Sequence, residues 1–322
     1  MRIGRIFFVA LLALGLSPGV FVRSDVAPPD LTGSVEIRAL AFDAVTNGPL
    51  SLGGLWHLTS ENDGFGGYSA LVSLGEDMFL AGSDAGRVLL LTRPDREGPA
   101  PEVSGFTGFS NDGWIRIDLE SIVRDPQTGR FWSGIEGSNH IVRFNPDRTW
   151  SAAFKPPAMQ DWANNSGAEA MVRLADGRII VIAEEDRGDA RHEALLFEGD
   201  PVRGAVPAGF TLIGERGYNP AEATLLPDGR VLVILRAFEL GLPPYFSVKL
   251  ATFDPQDIRD GEAIALQPLS DLGRPFPQEN FEGAVVTQEA GGDWAIWLIS
   301  DDNFSKLQRT LLMRLDWPEA AR

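Results

Sequence analysis

Apolar residues run along this chain in short stretches separated by glycine- and proline-rich breaks. No helical period persists beyond roughly ten residues, so strands and turns are predicted over helices. The stretch Glu279 to Asn303 shows the pattern most fully. Phe281-Glu282-Gly283-Ala284 leads into a β-branched run, Gly291-Gly292-Asp293 marks a turn, and Trp294 to Ile299 follows with large apolar residues. Together they predict a β-hairpin with carboxylates at its two ends, Glu282 at one and Asp301 and Asp302 at the other.

The same unit recurs upstream at Tyr68–Asp84, Leu119–Gly137, Ala168–Asp186 and Ala221–Glu239. Aligning the copies puts Ser69, Glu120, Glu169, Glu222 and Glu282 in one column, with gaps of 51, 49, 53 and 60 residues. A second column holds Asp84, Glu136, Glu184, Arg236 and Asp301, lying 15, 16, 15, 14 and 19 residues after the first. Each hairpin is followed by a third apolar run and often a fourth. A period near 50 residues built of four-stranded units predicts a β-propeller, in which each blade buries its faces against its neighbours around a channel. The fold class is therefore all-β, a propeller of about six blades, with five as the alternative. The strand-like segments Val35–Phe42, Leu52–Thr59 and Thr310–Trp317 are expected to close the ring. A two-domain β-sandwich is the competing architecture, and the internal period counts against it.

Ahead of the propeller, Arg2 and Arg5 precede the apolar run Ile6 to Leu16, broken by Ser17-Pro18-Gly19, the layout of a secretory signal peptide or a retained N-terminal anchor over residues 1–22. Residues 23–34 read as an extended leader and 35–322 as the single domain. A periplasmic or secreted location is expected, with the membrane involved only through an uncleaved N-terminal segment. Without cysteine there is no disulfide, thiolate or thiol lipidation chemistry. The net charge is −17, and loss of residues 1–22 would remove two arginines and no acid. Nucleic acid is excluded as a partner on that charge, and free polyphosphates are repelled unless a divalent cation bridges them.

Certain residues resemble a known group. Tyr68-Ser69-Ala70-Leu71, Asp118-Leu119-Glu120-Ser121, Ala168-Glu169-Ala170, Phe281-Glu282-Gly283, Ser300-Asp301-Asp302-Asn303 and Gln308-Arg309-Thr310 stand where the phytase-like family with esterase-like activity, mostly exported bacterial proteins, has its characteristic units. The resemblance runs from about Gly53 to Leu315. Ser121 and Ala170 depart from the usual Gly, and Asp302 from the usual Asn. The resemblance implies a propeller and a hydrolase of phosphate or carboxylic esters, and brings no catalytic residue with it.

In a propeller the first strand of each blade lines the channel, so the first column predicts a ring of carboxylates. Facing carboxylates cannot all ionise without a counter-charge, so their proton affinities rise or a cation sits among them. Hard oxygen donors, no cysteine and three histidines point to calcium, with Glu120, Glu169, Glu222, Glu282 and Asp301 as candidate ligands. Each Glu could instead accept N–H bonds from the adjoining blade and pin blade to blade. The second column, with Ser69 and Asn303, predicts a substrate-binding mouth. Arg236, its lone cation, would either grip a substrate anion or neutralise Glu184 and Glu222 beside it.

A serine triad fits poorly. Gly67-Tyr68-Ser69 lacks the G-x-S-x-G elbow, and only His57, His140 and His192 could serve as base. Trp114 and Trp162 are candidate ligand platforms in loops. The expected function is an exported, calcium-assisted hydrolase of a small-molecule ester in which Glu282, Glu169 and Arg236 carry the chemistry. The alternative is a non-catalytic propeller binding a small ligand or protein in the cell envelope.

Overall fold

The structure, a computed structural model, describes residues 30–75, 77–108, 118–163, 167–186 and 189–322. The segment 1–22, most of the leader and Trp114 lie outside the described residues. Alternating apolar and polar positions do what the pattern predicts. Five sheets form among the described residues, antiparallel except where Ala263–Ala265 adds in parallel to Ala208–Ile213 at the outer edge of the third, each beginning on one of the repeats, at Tyr68–Gly75, Leu119–Arg124, Ala168–Arg173, Asn219–Leu225 and Phe281–Gln288. These five innermost strands contact one another in sequence, and the last contacts the first, so the sheets close into a ring of five blades.

Five is the number given above as the alternative to six. The segments that would have supplied a sixth blade complete the fifth. Leu50–Ser60 pairs antiparallel with Thr310–Trp317, Leu58 opposite Thr310 and Trp56 opposite Leu312, and Val35–Ala39 pairs with Leu50–Ser60 on its other side. N-terminal and C-terminal strands are thus hydrogen-bonded within one sheet, which leaves the ring without a seam held only by side chains.

Hydrophobic cores fill the gaps between blades, one for each neighbouring pair. Leu232, Ile234 and Leu250 of the fourth blade meet Ile296, Leu298 and Met313 of the fifth, and Leu71, Phe79 and Leu89 of the first meet Trp297 and Leu312 of the fifth. Trp56 stacks on Trp297 at 5.5 Å, so the N-terminal strand is clamped by an aromatic pair as well as by its ladder.

Near the channel the blades approach too closely for large side chains. A Cβ on Gly283 would lie 2.7 Å from the Ala70 carbonyl carbon, and one on Gly134 would lie 2.5 Å from the Ala168 carbonyl oxygen. Ser121 and Ala170 occupy in their blades the place of Gly283. The two departures from glycine are therefore to the smallest side chains available, and the Ser121 hydroxyl donates to Ala168 O at 2.9 Å across the blade boundary.

Candidate functional site: an acidic channel mouth closed by one arginine

Each innermost strand carries a β-bulge at the same level. The residue left out of the pairing is Ser69, Glu120, Glu169, Ala221 and Glu282 in blades one to five. A bulge sets two residues against one and re-aims the side chain it carries, and here it marks the level of the upper mouth. In the fourth blade the bulged residue is Ala221, so the aligned column is one residue out of register there. Counted from Ala221, Arg236 follows after 15 residues, as Asp84 follows Ser69 and Glu184 follows Glu169.

Glu222 belongs one step further down, at the level of Ala70, Ser121, Ala170 and Gly283. It is buried, and its Oε1 accepts the Ala223 N–H at 2.8 Å. It also takes the backbone N–H of Met171 on the third blade, and burial pushes its carboxyl well above the usual range. It lines a cavity of about 410 Å³ at the opposite, lower end of the channel, among Ile122, Met171 and Val285. That placement sets Glu222 apart from the other four candidate ligands and gives it the blade-pinning role. Ser69 is a pin of the same kind, its hydroxyl donating to Leu119 O of the second blade at 2.7 Å.

The second column assembles as expected. Asp84, Glu136, Glu184, Arg236 and Asp301 each follow the middle-strand residue paired just before the bulge, just past the strand end in the first, second and fifth blades and within a longer strand in the third and fourth. Among the described residues they crowd, together with Glu120, Glu169, Glu282, Asp118 and Asp302, nine carboxylates around one guanidinium. Asp118, Glu120 and Glu136 each bring an oxygen within 4.8 Å of the others, a set that could hold a metal ion. Glu120 is pushed well above the usual carboxylate range by burial and by the charges of Glu169, Glu136, Asp118 and Asp84. Burial, with Glu184 and Glu136 nearby, raises Glu169 to about 8. Burial, opposed by the Asn303 N–H and joined by Asp84 and Asp302, takes Asp301 to about 6. Asp84 and Glu136 are also raised, chiefly by burial.

Arg236 is held from several directions. Its guanidinium is ion-paired with Glu282, donates to Asn280 Oδ1 at 2.7 Å and to Glu184 at 3.3 Å, and lies 5.6 Å from the Phe246 ring. Asn280 in turn donates to Glu282 Oε1 at 2.9 Å. The salt-bridge option is therefore realised with Glu184 and Glu282, and Glu222 takes no part. Nε and one terminal N–H of Arg236 have no partner among the described residues. Glu169 is 9% exposed and its carboxylate has no hydrogen-bond partner among them either.

Asn303 and Asp302 serve the loop. Asn303 Nδ2 donates to Gln308 at 2.7 Å, while Asp302 accepts the Gly67 N–H at 3.0 Å and the Thr310 hydroxyl at 2.9 Å. The departure from Asn to Asp at 302 thus leaves an acceptor that ties the fifth blade to the entry of the first. Trp162 is buried with its Nε1 donating to Glu193 at 2.8 Å, so it is core and no platform. Of the histidines, His57 is on the N-terminal strand opposite Arg38 and Leu311, His140 bonds Ser138 O, and His192 bonds Glu184 O. None partners the Ser69 hydroxyl, and no triad forms. The side chains of Glu185 and Asp186 lie outside what the structure describes. Asp118 and Asn280 were not singled out from the sequence as site residues. Each stands two residues before a column residue, Glu120 and Glu282, and that offset is the signal that would have found them.

Fold and mouth together define a five-bladed propeller with a carboxylate-lined channel opening. The chain belongs to the Phytase-like family, whose description is esterase-like activity of phytase and whose model matches residues 63–304. No curated protein matches the sequence. Among solved structures, a glucose dehydrogenase is 13% identical over 78% of this chain and 96% of its own, with a TM-score of 0.44. The glutaminyl cyclase of Myxococcus xanthus is 14% identical over 79% and 92%, with a TM-score of 0.46. The WD40 β-propeller domain of Doa1 is 11% identical over 84% and 98%, with a TM-score of 0.39.

Proposed function

We propose that the chain is an exported, calcium-assisted hydrolase of small phosphate or carboxylic esters, with its centre at the upper channel mouth. The observation that carries this reading is Glu169, a carboxyl nine-tenths buried and crowded by the like charges of Glu184, Glu136, Asp118 and Glu120, next to the convergent oxygens of Asp118, Glu120 and Glu136. Burying an ionisable group without a partner is costly unless a ligand completes it. The donors are all carboxylates, which suit a hard divalent cation and exclude soft-metal chemistry. Asp118, Glu120 and Glu136 would hold calcium. Bound there, it would polarise the ester and lower the charge that develops on it.

Glu169 then acts as proton acceptor for the attacking water, its raised proton affinity placing it close to the working pH of a general base. The unclaimed N–H groups of Arg236 face developing negative charge, and Glu282, Glu184 and Asn280 keep its plane fixed. Family membership supports ester hydrolysis as the reaction class. Export is supported by the layout of residues 1–22.

The test combines a calcium titration followed by thermal melting with a panel of aryl phosphates and aryl esters. Calcium should raise the melting temperature and turnover should follow calcium occupancy. Glu169→Gln should abolish turnover while the protein still folds. A calcium-stabilised protein that hydrolyses none of the panel would instead identify a binding propeller of the envelope. Expressed with its own N-terminus, the protein should be recovered outside the cytoplasm, and retention inside would refute export.

A further inference from the structure

Large apolar side chains are exposed in a biased way. Eight among the described residues stand well out of the protein, and five of them, Phe238, Leu240, Leu242, Phe304 and Leu307, lie at the end of the ring that carries the acidic mouth. Phe238 is the penultimate residue of the middle strand of the fourth blade, Val231–Glu239, two residues beyond Arg236, and Leu240 and Leu242 follow in the turn before Tyr245–Phe253. Phe304 and Leu307 occupy the corresponding connection of the fifth blade, between Trp294–Ser300 and Thr310–Trp317. Leu240 is 91% exposed, Leu242 101% and Leu307 96%, far beyond what packing of the connections themselves requires. They adjoin the mouth on the side of Arg236, its one cation among the described residues.

The path from that cation to the rim is continuous. The guanidinium of Arg236 lies over Phe246, and Phe246 meets Phe238 edge-on at 5.3 Å. A ligand whose polar group reaches Arg236 has the rings of Phe246 and then Phe238 beside it, with Leu240 and Leu242 next along the chain. Charge narrows the choice further, since the nine carboxylates among the described residues of the mouth disfavour a substrate with several negative charges and leave room for a neutral or singly charged one.

From this juxtaposition we infer that the site takes amphipathic esters, with the reacting group at Arg236 and Glu169 and an alkyl or aryl body lying on the rim formed by Phe246, Phe238, Leu240 and Leu242. The inference rests on the proposed hydrolase site for its polar end, and its apolar end stands on the exposed rim alone. Burial of methylenes against that rim supplies affinity that a compact, highly charged ester cannot obtain.

The experiment uses the calcium-loaded full chain and measures binding of methylphosphonate and hexylphosphonate by calorimetry, beside turnover of aryl acetate and aryl hexanoate. Hexylphosphonate should bind tighter by about tenfold or more, because each buried methylene contributes severalfold. The triple variant Phe238→Ser, Leu240→Ser, Leu242→Ser changes exposed positions, so it should fold and keep the affinity for methylphosphonate while losing the hexyl advantage. Equal affinities for the two probes, no binding of either, or a hexyl advantage that survives the triple variant would each overturn the inference. Co-sedimentation with phosphatidylcholine vesicles without any alkyl preference would overturn it in favour of membrane docking. Chain-length-dependent binding without turnover would uphold the rim and remove the hydrolase reading, whereas turnover without chain-length dependence would do the reverse.

Discussion

Arg236 and Glu282 form an ion pair that crosses a blade boundary, from the middle strand of the fourth blade to the innermost strand of the fifth. Among the described residues, the pair closes the ring of acidic side chains at the place where a cation interrupts it. Asn280 bonds both members, so the geometry is fixed on each side.

Removing the cation should be far worse than removing the anion. Arg236→Met strips Glu282 and Glu184 of their counter-charge in a half-buried site already crowded with carboxylates, and should cost on the order of 3 kcal/mol in denaturant unfolding at neutral pH. Arg236→Met combined with Glu282→Gln should recover a good part of that loss. A single variant as stable as the parent would mean that water already screens the pair.

The metal-free protein should become less stable as pH rises from about 4.5 to about 8. Glu169 has an ordinary value of 4.5 and stands at about 8 in the fold, and Asp301 moves from 3.8 to about 6. A carboxyl raised by folding holds its proton in the folded protein at pH values where the unfolded chain has released it. The stability it contributes is complete below the unfolded value and is lost as pH climbs through the folded one. Glu184, Glu136 and Asp118 oppose ionisation of Glu169, and Arg236 alone favours it. Melting in chelator should therefore show a higher midpoint at pH 5 than at pH 8, and calcium should remove most of the difference by supplying the missing counter-charge. A flat or rising profile in chelator would show that the carboxylates are already compensated.

Much of this arrangement is legible in the sequence because a propeller repeats its sequence signals with its structure. Trp294–Ser300 and its four counterparts fall on middle strands, and the second column stays at one level, since each member follows the residue paired just before the bulge. What the sequence hides is local. The bulge in every innermost strand makes two adjacent positions equivalent in a simple alignment, so Glu222 enters a ring that Ala221 occupies. The fourteen-residue gap from Glu222 to Arg236, one short of its commonest value, is the trace this leaves. Blade number was ambiguous because the closing strand lies more than 200 residues from its partner, and no local pattern reports such a pairing.

Closure predicts a sharp dependence on the N-terminal strand. Deleting residues 30–60 should abolish cooperative folding, because it unpairs Thr310–Trp317 along its whole length and uncovers Trp297, Leu312 and Met313, which are fully buried. Supplying the segment as a separate peptide should restore some of the structure. A truncated protein that melts in one transition near the parent temperature would show that the three-stranded remainder of the fifth blade is sufficient.

Calcium affinity distinguishes the carboxylates that form a site from those that hold blades together. Glu120 and Glu136 belong to the set whose oxygens converge with those of Asp118, and substitution by Gln removes charge while keeping size. Glu120→Gln and Glu136→Gln should each weaken calcium binding at least tenfold by calorimetry, and both should make the metal-free protein more stable at pH 8, because each relieves repulsion at the mouth. Glu222→Gln should leave calcium affinity unchanged, since Glu222 stands at the other end of the channel. Its amide oxygen can still accept an N–H from Ala223 or Met171, so the stability cost should be ~1 kcal/mol or less, whereas Glu222→Ala orphans both N–H groups and opens space beside the lower cavity, costing roughly 2–4 kcal/mol. Glu282→Gln should fall between these cases, with calcium affinity reduced only a few fold, because its charge is committed to Arg236. If Glu222→Gln and Glu120→Gln lowered calcium affinity equally, the ion would have to lie deeper in the channel than the mouth, and the bulge would not mark the level at which the site is built.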